Sequence, residues 1–213
     1  MTPEPEWRAR RREKIVHAAA ALFSRNAYAL VQMDDIARRA EVGKPTLYRY
    51  FPSKEDLYLS VCEEAFQRLE VRLAAAAGAA PPAALRAMLE ALVDMLGKQL
   101  ASLDFLNAEE QSLNLQWRQL YSRRRRMIVD RLRAVLDAGV LAGTFAPGDT
   151  ELAAQLLLGM VRGGLFATAG QPRDTLLATL VEFAEWGLAG RREPSMSAAR
   201  PAPAVARTAR ARR

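Results

Sequence analysis

The chain has 213 residues, half of them hydrophobic, and carries 31 Lys and Arg against 24 Asp and Glu for a formal net charge of +7. That length and apolar content suffice for a domain or two with a real core. A single cysteine, Cys62, excludes an internal disulfide and a cysteine-only zinc cluster, and the lone His17 removes most metal and triad arrangements.

The two ends hold the positive charge. Residues 1–56 carry 11 basic against 8 acidic side chains, net +3; residues 57–190 carry 13 against 15, net −2; residues 191–213 carry 7 against 1, net +6. A polyanionic partner suits the N-terminal region, while the middle has another role. Alanine, leucine, glutamate and arginine dominate and strand-favouring runs are nearly absent, which predicts an all-α protein. The N-terminus lacks the apolar core of a signal peptide, and no run reaches the roughly 18 apolar residues of a membrane span. The expectation is a cytoplasmic protein without a membrane partner.

About nine helices are predicted. The first spans 10–25, with Ile15, Ala18, Ala19, Leu22 and Phe23 at helical spacing and Arg10, Arg11, Arg12 and Lys14 crowded at its start, either as a solvated run or as phosphate contacts. His17 on it is a bystander rather than a ligand. Asn26 can take the left-handed conformation that ends a helix. The second helix spans 33–40, with Asp34 and Asp35 in its first turn and Ile36, Ala37 and Ala40 inward. After the tight connection Glu41-Val42-Gly43, the third spans 44–51, opened by Pro45, which suits a first helical turn. Pro52-Ser53 breaks it, and Ser53 with Asp56 three residues on makes a capping-box-like start for a fourth helix over 54–77.

With Leu47 set at 0° and steps of about 100°, Phe51 falls at about 40° while Pro45 and Arg49 fall at about 160° and 200°, flanked by Tyr48 and Thr46. One face is core; the opposite face offers a guanidinium, a phenol and a hydroxyl, groups that phosphates and base edges accept. Arg49 suits bidentate contact with a guanine, Tyr48 and Thr46 suit phosphates, and Lys44 and Lys54 add cations. Lys54 sits at a helix N-terminus, where a cation is locally unfavourable; phosphate binding or plain solvation are the two explanations.

The stretch MDDIARRAEVGKPTLYRYFPSKEDL, with IVHAAAALFSRNAY ahead of it, resembles the N-terminal domain of the TetR/AcrR family of regulators, densely over residues 14–58. The resemblance implies a helix-turn-helix domain over 1–56 whose core is Ile36, Ala37, Ala40, Val42, Leu47 and Phe51. Its DNA-facing set would be Lys44, Pro45, Thr46, Tyr48, Arg49, Tyr50 and Lys54. Glu41 and Ala27 stand where the family usually has glycine, and Gly43 where it usually has a capping serine or threonine. The last change removes one phosphate contact without threatening the fold, because glycine is a tolerable N-cap.

Beyond the motif, helices are predicted over 83–101, 103–112, 115–142, 149–169 and 172–189, followed by a disordered basic tail over 191–213. The run 123–126 circles a whole helical turn and reads as solvated surface. The resemblance implies that residues 57–190 form a dimerisation and effector-binding domain. Candidates for a largely apolar small-molecule effector are Phe66, Met88, Leu92, Met95, Phe105, Trp117, Tyr121 and Phe166, with Glu109, Asn114 and Arg118 as polar anchors; ordinary core packing is the alternative at each. Candidates for the homodimer interface are Gly159, Gly163, Gly164, Leu176, Leu180, Phe183 and Trp186, with monomer core as the alternative. The expected function is that of a homodimeric repressor on a pseudo-palindromic double-stranded operator, released by a small molecule, with no catalytic residues, no metal and no cofactor. The rival reading is a non-enzymatic membrane-surface or interaction protein using the basic tail, which leaves the polar face of residues 44–50 without a purpose.

Overall fold

The computed structural model describes residues 5–103, 111–167 and 172–189. They form α1 (Glu6–Phe23), a one-turn 3-10 helix (Tyr28–Leu30), α2 (Met33–Arg39), α3 (Lys44–Tyr50), α4 (Lys54–Ala76), α5 (Pro81–Leu103), α6 (Gln111–Leu141), α7 (Thr150–Ala167) and α8 (Arg173–Leu188). Among the described residues eight α-helices stand, where about nine were expected over the whole chain. The helix expected over 103–112 and the tail over 191–213 fall largely or wholly outside the described residues.

In α1 Ile15, Ala18, Ala19 and Phe23 are buried as the spacing predicts, whereas Leu22 is half-buried and Val16 is buried in addition. The helix begins four residues earlier than expected, where Glu6 brings an acidic group to the positive end of the dipole and pairs with Arg10. Asn26 is not left-handed. Instead its backbone N–H and its side-chain amide both donate to the Leu22 carbonyl, at 3.1 and 2.9 Å, so two hydrogen bonds close the helix in place of a positive φ. Among the described residues the one non-glycine with positive φ is Glu41, at 53°.

Ser53 caps α4 as its spacing to Asp56 predicts: its hydroxyl accepts from the Asp56 N–H at 3.0 Å and donates to the Asp56 carboxylate at 2.8 Å. One turn on, the buried Tyr58 meets Phe23 of α1 edge-on at 5.0 Å and Tyr28 at 5.1 Å, while Phe23 and Tyr28 stack at 5.8 Å. These three rings join the N-terminal helices to α4 in one apolar cluster. The hydrophobic core is continuous from there. α5 runs through its centre and touches α4, α6, α7 and α8, which fits a helix apolar over most of its circumference. Arg124, half-buried on α6, spans Glu63 and Glu70 of α4 at 3.5 and 3.2 Å, so one member of the arginine run is a structural tie rather than solvated surface. After α6, Gly143 adopts φ 69° and the chain folds back so closely that a Cβ on Gly139 would lie 2.0 Å from the Phe145 ring. Only glycine fits that crossing.

Candidate nucleic-acid interface

α2 and α3 are held by Ile36, Ala37, Ala40, Leu47 and Phe51, all buried, with Val42 half-buried between them. This is the core that the family resemblance implies. Leu47 is fully buried, and it fixes the rotation of α3, which leaves Lys44, Pro45, Tyr48 and Arg49 exposed and Thr46 partly so. Arg49 has no carboxylate partner among the described residues; its guanidinium lies 5.9 Å from the Tyr50 ring centre. A helix anchored by one leucine thus presents a donor-rich face in which the arginine is not neutralised.

Two ion pairs brace the motif. Lys44 lies 2.8 Å from Asp34 at the start of α2, a contact that raises its pKa by hydrogen bonding and charge. Glu41, on the left-handed residue of the turn, lies 2.5 Å from Lys14 of α1, whose hydrogen bond and charge hold the carboxyl below the usual glutamate range. The glutamate at this glycine-favouring position therefore has a compensating partner on a neighbouring helix.

Two of the expected DNA-facing residues sit differently. The Lys54 ammonium turns inward and donates to the carbonyls of Tyr28 and Val31 at 3.1 and 3.3 Å, over the Tyr28 ring. Its place at a helix N-terminus is thereby explained within the protein. Tyr50 is half-buried and its hydroxyl is enclosed by protein, leaving its ring rather than its phenol at the surface. Arg12, which the sequence presents only as part of a charge run, and Arg8, which precedes that run, approach the other end of α3. Arg8 lies 6.0 Å from the Tyr50 ring centre; Arg12 lies 5.3 Å from that of Phe51 and donates to the Ser60 hydroxyl at 3.2 Å. The crowding of arginines at the start of the first helix was the available signal.

Of the effector candidates, Phe66, Met88 and Leu92 are enclosed in the core, with Met95 at its edge. Arg118 and Phe166 are exposed, and Tyr121 accepts from Arg162 at 2.6 Å. Phe105, Glu109 and the side chains of Asn114 and Trp117 lie outside what the structure describes. Of the dimer candidates, Leu176 and Leu180 are buried within the chain, and Leu176 packs against Gly164, where a Cβ would lie 2.7 Å away. Phe183 and Trp186 are 65% and 79% exposed, and Gly159 and Gly163 face open space. Among the described residues no cluster of three or more His, Cys, Asp or Glu could hold a metal, and no helix is long and apolar enough to cross a membrane.

Residues 15–61 match the family model for bacterial regulatory proteins of the tetR family, and residues 78–164 match that for the tetracyclin repressor-like C-terminal domain. The chain belongs to the tetR family of bacterial regulatory proteins, and the N-terminal model covers its helix-turn-helix. It is 44% identical over 73 residues to the HTH-type transcriptional repressor KstR of Mycolicibacterium smegmatis, covering 33% of this chain and 36% of that protein. It is 27% identical over 153 residues to the fatty acid metabolism regulator protein of Bacillus subtilis, covering 70% and 78%. The chain thus spans only about a third of the KstR repressors it matches. A TetR-like transcriptional regulator from Rhodococcus sp. RHA1 superposes with a TM-score of 0.62 at 28% identity, over 90% of this chain and all of that one.

Proposed function

We propose that this protein is a homodimeric repressor that reads a pseudo-palindromic operator through the outer face of α3 and is released by a small molecule. The observation that carries the reading is the rotation of α3: burial of Leu47 leaves Arg49, Tyr48, Lys44 and Pro45 on one accessible face. Arg49 is the base-reading residue, and Tyr48, Thr46 and Lys44 hold phosphates. Dimerisation is supported by an apolar surface on the last two helices, where Leu156, Phe183 and Trp186 are all more than half exposed. Large apolar side chains left exposed on two adjacent helices favour an interaction surface there. A two-fold axis through it would set two α3 helices toward successive major grooves, about 34 to 36 Å apart. The KstR relatives bear the name of repressors, which supports the sign of regulation. The test is selection of bound fragments from the source genome followed by footprinting. A two-fold symmetric footprint with half-sites one helical turn apart is expected; binding without sequence preference would defeat the reading.

A further inference from the structure

Where α1 leaves the reading head and crosses α4 and α5, the three helices frame a half-open cavity of about 370 Å³. Its floor is apolar, made by Phe23, Val61, Leu69 and Met95, and the space exists because alanines face it from every side: Ala20 and Ala21 on α1, Ala65 on α4 and Ala91 on α5. The rim is polar, with His17 on α1, Arg68 and Arg72 on α4 and Asp94 on α5. The rim's one carboxylate is already engaged on both oxygens: Asp94 accepts from Arg72 at 3.0 Å on one and from Arg173 at 2.5 Å on the other. Arg68 pairs with Glu64 one turn back along its own helix. Each guanidinium has five N–H donors, so Arg68 and Arg72 keep donors beyond these pairs.

We infer that this α1–α4–α5 cavity is a binding site for a compact apolar monocarboxylate, its body against Phe23, Leu69 and Met95 and its carboxylate on Arg72 and Arg68. The volume lies at the small end of the range for small-molecule sites, roughly 300 to 1,000 Å³. The site differs from the effector set expected on sequence grounds, sharing only Met95 with it. It rests on the proposed ligand control of the regulator and gives that control a route, because α1 belongs to the reading head and α4 and α5 to the body. A ligand seated between them would change the angle at which α1 carries α2 and α3.

The probe is 2-naphthoate, with 2-naphthylmethanol as its uncharged counterpart, titrated into the full chain carrying methyl-labelled alanine. The acid should bind about tenfold more tightly than the alcohol, as one charge-assisted contact implies. The methyl signals of Ala20, Ala21, Ala65 and Ala91 should shift. Arg72→Gln should bring acid and alcohol close to equal affinity, and Ala21→Phe should abolish binding by filling the cavity from its half-exposed side. Shifts confined to alanines elsewhere, equal affinities for acid and alcohol in the unaltered chain, or no binding of 2-naphthoate would overturn the site. If binding occurs here and operator affinity does not respond, the site stands and the reading of ligand-controlled release falls.

Discussion

The ammonium of Lys54 lies 4.3 Å from the centre of the Tyr28 ring and donates to the Tyr28 carbonyl at 3.1 Å. It ties the first turn of α4 to the connection between α1 and α2, so it acts on stability before it acts on DNA. Lys54→Met should keep the stem and lose two charge-assisted hydrogen bonds. The expected loss is about 1 to 2 kcal/mol, discounted for partial exposure. That lowers the melting midpoint by a few degrees, at roughly 2 to 4 °C per kcal/mol for a chain of this size. The slope of log operator affinity against log salt should stay unchanged. A slope shallower by about 0.9, the value of one phosphate contact, would instead place Lys54 on DNA.

Arg49 and Tyr48 are neighbours on the exposed face of α3 and should fail differently. Arg49→Ala should cost on the order of 1 to 3 kcal/mol at the cognate operator and relax preference at one base position per half-site. Tyr48→Phe should weaken every sequence alike, because a phosphate contact carries no base information. Binding-site selection with each variant distinguishes them. An Arg49→Ala protein with the parent's affinity and preference would remove Arg49 from the reading face.

The register of α3 was legible in the sequence because Leu47 and Phe51 lie four residues apart and Arg49 falls between them, so local periodicity alone orients the face. The cap on α4 was legible for the same reason, Ser53 and Asp56 being partners within one turn. Lys54 was not, because its partners Tyr28 and Val31 lie 26 and 23 residues away. Tyr50 shows the limit of a helical wheel. At about 60° from Leu47 it counts as flank, and only tertiary packing decides that its hydroxyl is enclosed. The junction cavity was invisible for a related reason: it is made of alanines contributed by three helices, and a single alanine in a helical stretch signals nothing.

Glu41 occupies a left-handed backbone that costs a residue with a Cβ roughly 1 to 2 kcal/mol, and its side chain recovers part of this through Lys14. Glu41→Gly should therefore raise the melting midpoint at neutral pH even though an ion pair is lost, because exposed pairs are weak. The carboxyl titrates below its ordinary value of 4.5 in the folded chain. Its contribution is present above that value and is lost as the pH falls through the lowered folded value. The advantage of Glu41→Gly should thus widen under acid conditions, measured by thermal melts of both proteins. A glycine variant less stable than the parent would show that the turn is not strained.

Trp186 and Phe183, exposed on α8, should hold the proposed dimer together. In a two-fold interface each substitution is made twice, so Trp186→Glu introduces two unpaired charges into the buried surface. Sedimentation should find a folded monomer, and operator affinity should fall with the loss of the second reading helix. A Trp186→Glu protein that remains dimeric would move the interface elsewhere.

Asp94 joins three helices: Arg72 of α4 holds one carboxylate oxygen and Arg173, in the first turn of α8, holds the other while also reaching Glu90 at 3.1 Å. Burial alone would push the Asp94 carboxyl up, but the hydrogen bonds and charges of Arg173 and Arg72 outweigh it and hold the group below its ordinary value of 3.8. A carboxyl depressed on folding stabilises the native state above its unfolded value, and that contribution is lost as the pH falls through the folded one. Asp94→Asn keeps the shape and removes the charge, leaving two guanidinium groups facing one another. Because both guanidiniums are more than two-fifths exposed, solvent screens the pairs and the expected loss at neutral pH is about 1 kcal/mol. The parent's stability should drop on acidification below pH 3.8 more steeply than the variant's, so the two curves converge toward low pH. Denaturant titrations at neutral pH and at stepwise lower pH values measure both quantities. Parallel curves, with a constant gap down to the acid limit, would mean that Asp94 contributes packing rather than charge and that α8 is not clipped electrostatically to α4 and α5.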